Sequence, residues 1–539
     1  MQASRQQRAG ELRQRRFHQL HAGEENNKAI YDREQQITDH KGQAPLNGVV
    51  HQYMNAAKWT CIEFINKNRE LKVLASVILE RSRKKRLEQG HPWVYASEVA
   101  SVDGEPQPGG LVDVLNHQGR YLATGYYNPA SQIRVRILDR NPLAAMDTAF
   151  FAERFASCLR HRQRFLPGAD AYRLVYGEAD FLPGLIIDRF GEVLVVQLLT
   201  LGMDKCRDQI VQALVEVVVP RGIYERSDVS VRELEGLEQR TGVLYGECPR
   251  HITVSENGLK VIVDIEEGQK TGYFFDQREN RASIAPLIQG WGGRSGITLQ
   301  EVAAEDGTVQ TLPVNKSGKP VTFPYWDGAT VLECFAHTGS FTLHACKYGA
   351  KKVTCLDVSA HAIESAKANV ELNGFSDRVE FVVDDAFAFL RNQVKGLEER
   401  SERATGKTDA NPGAKPAAAK TDTAKPMTAG GGRTWDVVIL DPPAFAKTKS
   451  AVAGACRGYK DINLHGMKLV NEGGYLVTAS CSYHMQPQLF LDTIAEAAKD
   501  AGKVLRLIEW RAAGKDHPQI LGVDEGHYLK FAIFEVRSK

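Results

Sequence analysis

The stretch Thr330-Val-Leu-Glu-Cys-Phe-Ala-His-Thr-Gly-Ser-Phe341 decides the fold. It begins as a short apolar run, turns through a glycine, and passes into TLHACKYG, which reads as a helix. A buried strand that turns through glycine into a helix is the opening unit of an α/β sheet. The unit recurs downstream. KVTCLDV (352–358) precedes the helical SAHAIESAKANVELNG (359–374), and VEFVVDD (379–385) precedes AFAFLRNQVKGLEER (386–400). WDVVILDPP (435–443) precedes a helix expected from about 458 to 471, and GGYLVTASCS (473–482) precedes QLFLDTIAEAAKDAG (488–502). Strands alternating with helices specify a parallel, doubly wound sheet. The run 401–433, rich in Ala, Lys, Thr, Gly and Pro with almost no large apolar residue, interrupts the pattern and reads as a disordered surface loop.

Upstream, the punctuation changes. Residues 145–165 read as a helix, followed by strand-like LVYGE, LPGLIIDRFG and EVLVVQLLT, a helix near 204–219, and HITVSENGLKVIVDI. This is an α+β region with a mostly antiparallel sheet, ending in GQKTGYFFDQREN at 268–280. Between Val73 and Leu138 short β-type runs alternate with Gly and Pro, which suits a small β-barrel or compact mixed domain. Residues 293–325 look like an insertion or an elaborated hairpin. The expected organisation is therefore an extension at 1–72, a β-rich domain at 73–142, a central α+β domain at 143–292, the insertion at 293–325, and a Rossmann-like domain at 326–539 with a disordered insertion at 398–433.

The chain has 539 residues, with 68 Lys and Arg against 66 Asp and Glu, so bulk charge does not drive it onto a polyanion. A local basic run does exist. Arg81-Ser-Arg83-Lys84-Lys85-Arg86 is followed by His91-Pro-Trp93, a pairing that suits phosphate contact with base stacking and equally suits a solvated charge run beside a core tryptophan. No apolar run reaches membrane-helix length, the first residues are polar, and the nine cysteines include no CxxC pair. Free thiols in the cytoplasm are expected.

In an open α/β sheet, ligands gather beyond the carboxyl ends of the strands. Those ends carry Glu333 and the Gly339 turn, Asp357, Asp384-Asp385, Asp441-Pro-Pro and Ser480-Cys481-Ser482. Asp357 stands 18 residues beyond Gly339, where a carboxylate suits a ribose diol. The array argues for an adenosine-containing cofactor. G-x-G-x-x-G is missing, which disfavours a dinucleotide oxidoreductase, and the Asp-Pro-Pro end favours S-adenosylmethionine.

Several stretches together resemble RlmI-type 23S rRNA cytosine-C5 methyltransferases. They are Val331 to His344, DPPAF (441–445), ACRGYKDIN (455–463), SCS (480–482), GHPWVYASEV (90–99), EADFLPGLIIDRFG (178–191) and GQKTGYFFDQREN (268–280). The resemblance spans about 73–539. It implies a PUA domain, a central α/β domain and a class I methyltransferase domain. It implies S-adenosylmethionine contacts at Phe335, His337, Thr338, Gly339, Ser340, Asp357, Asp385 and Asp441. The KTGYFFDQR element would add Lys270, Thr271, Asp276, Gln277 and Arg278 at the methionine end. It makes Arg83, Lys84, Lys85, Arg86 and Trp93 candidate contacts to 23S-type ribosomal RNA, naked or partly assembled, and it allows a homodimer.

Carbon 5 of cytosine is a poor nucleophile until a thiolate adds at carbon 6. Cys481 is the candidate nucleophile, with Cys456 the runner-up. Ala444 follows Asp-Pro-Pro where many RNA cytosine-C5 enzymes carry a second cysteine; the RlmI-type group shares that absence. Asp441 or a water is then the base that removes the C5 proton. The competing readings are an rRNA guanine-nitrogen methyltransferase and a non-catalytic RNA-binding assembly factor.

Overall fold

The computed structural model describes residues 74–81, 86–292, 297–303, 309–321, 328–404, 432–523 and 526–539. The expectations for 1–72, for Arg83, Lys84 and Lys85, and for 405–431 lie outside the described residues. Two compact units divide the chain. The first takes 1–159, 175–187 and 196–246; the second takes 160–174, 188–195 and 247–539.

The first unit opens with β1 (Ala75–Leu79), β2 (Trp93–Tyr95), β3 (Val99–Asp103), β4 (Leu111–Leu115), β5 (Tyr121–Tyr127) and β6 (Ile133–Asp139). They form one sheet in the order β2-β6-β5-β4-β1-β3, antiparallel except where β1 runs beside β4. Alternation places the core: Val112 and Val114 of β4 are buried while Leu111 and Asp113 are half-buried. Val77, Val94, Ala123, Val135 and Ile137 join them.

Next come α1 (Thr148–Phe165), β7 (Ala171–Tyr176), β8 (Leu185–Phe190), β9 (Val193–Leu198), α2 (Leu201–Lys205), α3 (Arg207–Val218), β10 (Gly222–Ser227) and β11 (Arg240–Gly246). The five strands are ordered β11-β10-β9-β8-β7, and the unit boundary runs through β7, β8 and β9. The single helix expected near 204–219 is two. The chain breaks at Cys206, where Asp204 accepts from Arg207 at 2.6 Å and from Arg232 at 3.0 Å and so holds the turn.

The second unit contains a hairpin of β12 (His251–Glu256) and β13 (Leu259–Asp264). Asn257 and Gly258 turn it with φ of 51° and 75°, the left-handed pair that a two-residue hairpin needs. α4 (Arg278–Ser283) and α5 (Ala285–Gly292) follow. Within the expected insertion, β14 (Thr298–Ala303) pairs antiparallel with β15 (Val309–Val314), the hairpin alternative.

The large sheet uses β16 (Thr330–Cys334), α6 (Ser340–Lys347), β17 (Lys352–Asp357), α7 (Ala360–Leu372), β18 (Val379–Val383) and α8 (Ala386–Ala404). It continues through β19 (Trp435–Leu440), α9 (Val452–Lys468), β20 (Val470–Ser480), α10 (Pro487–Asp500), β21 (Lys503–Arg511) and β22 (Lys530–Ser538). Strand order is β18-β17-β16-β19-β20-β22-β21. The first five are parallel, as their continuous apolar runs require, and β22 runs antiparallel to both neighbours. The connection order reverses between β16 and β19, so the ligand crevice belongs at their carboxyl ends.

Two boundaries differ from expectation. α9 starts at Val452, not near 458, and Gly458 lies within it, where a Cβ would meet the Phe445 ring at 3.2 Å. α8 continues through 398–404, where a disordered insertion was expected to begin. Its last turns are held by Lys468 to Glu398 at 3.3 Å and by Arg400 to the Gly432 carbonyl at 2.8 Å. Among the described residues no helix is long and apolar enough to cross a membrane.

Candidate functional site

The loop after β16 is shaped by three left-handed residues. Phe335, His337 and Gly339 have φ of 64°, 50° and 76°. Gly339 caps α6, and a Cβ there would stand 3.0 Å from that of Ala366, so the position excludes a side chain on two counts. The loop is tied to the next strand end. The His337 N–H donates to Asp357 at 2.9 Å, and Ser359 N–H donates to the other Asp357 oxygen at 2.9 Å. Burial lowers the His337 imidazole below its ordinary value. The Asn369 side chain donates to the Thr338 carbonyl at 3.1 Å, while the Thr338 hydroxyl is buried without a partner. Ser340 begins α6, and its carbonyl bonds the His344 ring at 2.7 Å. Glu333, inside β16, is buried and accepts from the Thr342 N–H at 2.7 Å; burial pushes it up to about 8.

Phe335 lies 6.3 Å from Phe387 and 6.5 Å from Phe445, and the latter two stand 5.8 Å apart. This aromatic trio was not singled out from sequence, because Phe387 and Phe445 belong to different strand ends. Asp385 is exposed and accepts from Ala388 N–H at 2.9 Å, as a helix cap does. An unpartnered buried hydroxyl, a carboxylate at the second strand end and a glycine-shaped helix start fit a nucleoside-bearing cofactor.

The second cluster lies at the ends of β19 and β20. Cys481 Sγ sits 3.7 Å from the Pro442 carbonyl. Burial, then the Asp441 carboxylate, push this thiol up to about 11. Burial, then the Asp276 carboxylate, push Asp441 up to about 7. Ser480 and Ser482, which flank the cysteine, bond the Tyr459 hydroxyl at 2.9 Å and 3.0 Å. The Ser482 hydroxyl also accepts from Ala446 N–H at 3.1 Å, so the SCS turn and the DPPAF loop are locked together. Tyr459 is a residue that the sequence reading passed over, although it lies in the quoted CRGYK run. Cys456, the runner-up thiol, lies on α9 and packs against the apolar core.

The GQKTGYFFDQREN segment divides its residues between two tasks. Gln277 donates to Asp441 at 2.9 Å and accepts from Asn280 at 2.7 Å. Asp276 is buried, accepts from the Tyr528 hydroxyl at 2.6 Å and from Lys270 at 3.4 Å, and leaves one oxygen without a partner. Burial alone would raise Asp276, but Lys270, His517 and the Tyr528 hydroxyl hold it well below the usual carboxylate range. Thr271 and Arg278, expected at the cofactor, are occupied elsewhere. Thr271 donates to Asp188, which forms a two-pronged pair with Arg173 at 2.9 and 2.8 Å. Arg278 donates to the Ala171 carbonyl and stands 3.6 Å from Glu256. Glu256 holds Arg281 by two bonds of 2.6 and 2.8 Å, and these keep it ionised against burial. Both residues anchor the segment rather than face its strand-end cluster.

In the first unit, Trp93 is no free stacking platform. Its indole N–H donates to Glu178 at 2.8 Å, and Arg136 lies 5.5 Å over its ring. Arg86 bonds His91 at 2.6 Å and lies 4.9 Å over Tyr95. Arg83, Lys84 and Lys85 lie outside the described residues.

A family profile for a PUA-like domain matches residues 77–140, and one described as conserved hypothetical protein 95 matches 319–400. A protein of Alteromonas mediterranea named ribosomal RNA large subunit methyltransferase I is 38% identical over 465 residues, covering 86% of this chain and 99% of that protein. The protein of the same name from Escherichia coli O157:H7 is 37% identical over 458 residues, covering 84% and 97%. Among solved structures, a candidate SAM-dependent methyltransferase from Streptococcus mutans has 19% identity and a TM-score of 0.60, covering 85% of this chain and 99% of that one. A second methyltransferase structure, complexed with SAH, has 19% identity and a TM-score of 0.61, with the same coverage. At that identity the likeness shows the fold.

Proposed function

Because the chain belongs to the ribosomal RNA large subunit methyltransferase I family, we propose that it methylates carbon 5 of a cytosine in large-subunit ribosomal RNA through an adduct of Cys481. It is an S-adenosylmethionine-dependent rRNA methyltransferase. When bound, that cofactor supplies an electrophilic methyl group. Phe335, His337, Thr338, Gly339, Ser340, Asp357 and Asp385 would hold it, with Gln277 and Asp441 at its reactive end.

The observation that carries the finer reading is Cys481 at a strand end beside Asp441 and the Pro442 carbonyl. The thiolate adds at carbon 6, which places an enamine across the ring and makes carbon 5 nucleophilic. Asp441, at about 7, exchanges a proton near neutral pH and is positioned to take the one from carbon 5 before sulfur leaves. Gln277 fixes its orientation. The SCS turn, held by Tyr459, fixes the sulfur. The thiol's elevation to about 11 favours the alternative, methylation of a guanine nitrogen, which needs no thiolate.

One experiment separates them. RNA with 5-fluorocytosine at the target should trap the enzyme covalently, because fluorine cannot leave as a proton. Trapping abolished in Cys481→Ser and kept in Cys456→Ser supports the reading. Full turnover in both variants makes the acceptor a nitrogen.

For RNA binding we propose that the run Arg83, Lys84 and Lys85 with Arg86 contacts phosphate, while Trp93 shapes the domain. Neutralising the run should flatten the salt dependence of RNA affinity by roughly 0.7 to 0.9 in log–log slope for each phosphate no longer neutralised.

A further inference from the structure

Among the described residues β13 pairs with β12 alone, so the backbone of its outer edge needs other partners. α7 supplies them from two asparagines one turn apart. The Asn373 side chain accepts from the Lys260 N–H at 2.9 Å and donates to the Lys260 carbonyl at 2.7 Å. The Asn369 side chain accepts from the Ile262 N–H at 2.8 Å. Asn369 also reaches further than Asn373. It is fully buried, and its amide nitrogen donates to the Thr338 carbonyl at 3.1 Å, inside the loop after β16.

The hairpin meets that loop a second time. Asn257, at its tip, donates to His344 Nε2 at 3.0 Å, and His344 Nδ1–H donates to the Ser340 carbonyl at 2.7 Å. The roles follow from charge. Burial pushes the imidazole down to about 4, so the ring is neutral, with one nitrogen to donate and one to accept. The two carbonyls on either side of Gly339 are therefore each tied to the β12–β13 hairpin through side-chain bonds. At position 369 an amide suits the task, because one end must accept and the other donate. A carboxylate of the same length has nothing to donate to Thr338, and an alkyl group makes neither bond. The bond from Asn369 also fixes the residue whose hydroxyl is buried without a partner.

We propose that Asn369 is a positioning residue of the cofactor loop: it fixes the Thr338 carbonyl against the outer edge of β13, and so aims the Thr338 hydroxyl and the start of α6 at S-adenosylmethionine. The same bridge couples the loop to the segment that leaves β13 and carries Gln277 to Asp441. Cofactor occupancy is then felt at the hairpin, since coupling between two sites is reciprocal. The inference rests on the reading that the loop from Phe335 to Ser340 holds the cofactor.

The test compares variants of the full-length protein by calorimetry with S-adenosylmethionine and by methyl transfer to large-subunit ribosomal RNA. Asn369→Leu should weaken the cofactor about tenfold, the scale of a buried carbonyl left unpaired. It should raise the KM for the cofactor while kcat at saturating cofactor stays within about twofold. Asn373→Leu removes the neighbouring bonds to the same hairpin edge and should leave cofactor affinity unchanged. Equal weakening in the two overturns the proposal, because lost hairpin support then explains both. Unchanged affinity in Asn369→Leu while Asp357→Ala weakens binding removes Asn369 alone. Unchanged affinity in Asn369→Leu and Asp357→Ala together removes the loop reading and the proposal with it. If Asn369→Leu does not fold, amide hydrogen exchange on the wild-type protein decides. S-adenosylmethionine should slow exchange at Ile262 and leave Lys260, held by Asn373, unchanged. Equal slowing at the two amides, or none at Ile262, overturns the proposal.

Discussion

Asp357 and Asp441 end the two strands that flank β16 in one sheet, yet their surroundings oppose each other. Asp357 receives two backbone N–H donors, one on each oxygen. Asp441 receives a single side-chain amide, sits near the carboxylate of Asp276, and is pushed up to about 7. Backbone donors hold an anion fixed, which suits binding. A carboxyl crowded by burial and another carboxylate changes its protonation cheaply, which suits proton transfer. Under the proposed function, the same residue type at equivalent strand ends would divide the labour between holding and reacting.

The largest expected effect lies on the reacting side. Cys481→Ser should remove turnover altogether while S-adenosylmethionine affinity survives, because a serine hydroxyl is hardly ionised at neutral pH. Calorimetry beside a methyl-transfer assay checks both halves. Asp441→Asn should cut kcat by ~100-fold to 10,000-fold, the range for a missing acid–base group. If its cofactor affinity falls as far as its kcat, the division between the two aspartates fails. Asp357→Ala should show the opposite split, weakening cofactor binding by ~1.5–3 kcal/mol, the range for hydrogen bonds to a charged group. Unchanged affinity in a titration would remove Asp357 from the holding side. Tyr459→Phe should destabilise by only ~1–3 kcal/mol, through the hydrogen bonds that Ser480 and Ser482 lose in the SCS turn, with a modest loss of kcat; thermal unfolding measures it.

The smallest effect is a slope. A raised carboxyl keeps its proton in the folded state at pH values where the unfolded chain has lost it. Stability therefore falls as pH rises through the window from 3.8 to about 7 for Asp441. Asp441→Asn should flatten the decline of melting temperature across that window. Glu333, pushed up to about 8, should leave a residual slope of the same sign.

The methyltransferase half was largely legible in advance. Its strands end where the sequence turns from apolar to Gly, Asp or Pro, and β16 to β20 fall within or close to the runs read for them. Helix ends were less legible. The helix expected from about 458 begins at Val452, and Gly458 lies inside it, where its missing side chain makes room for Phe445. Thr271 and Arg278 lie in a motif with Gln277, yet only Gln277 reaches Asp441. A motif groups residues along the chain and does not say which way each side chain faces.

By itself the sequence determined the alternation of strand and helix, the residues at the strand ends, and the family. Those are properties of local periodicity, turn chemistry and shared pattern, all written within a few residues or along an aligned run. Tertiary structure alone decided that Asp276 approaches Asp441, that Tyr459 locks both sides of Cys481, and that Asn369 joins the Thr338 carbonyl to the Ile262 N–H. These residues are far apart in the chain. Burial and charge act through space, so the pKa values that sort the carboxylates and the thiol exist only once the sheet has brought its edges together.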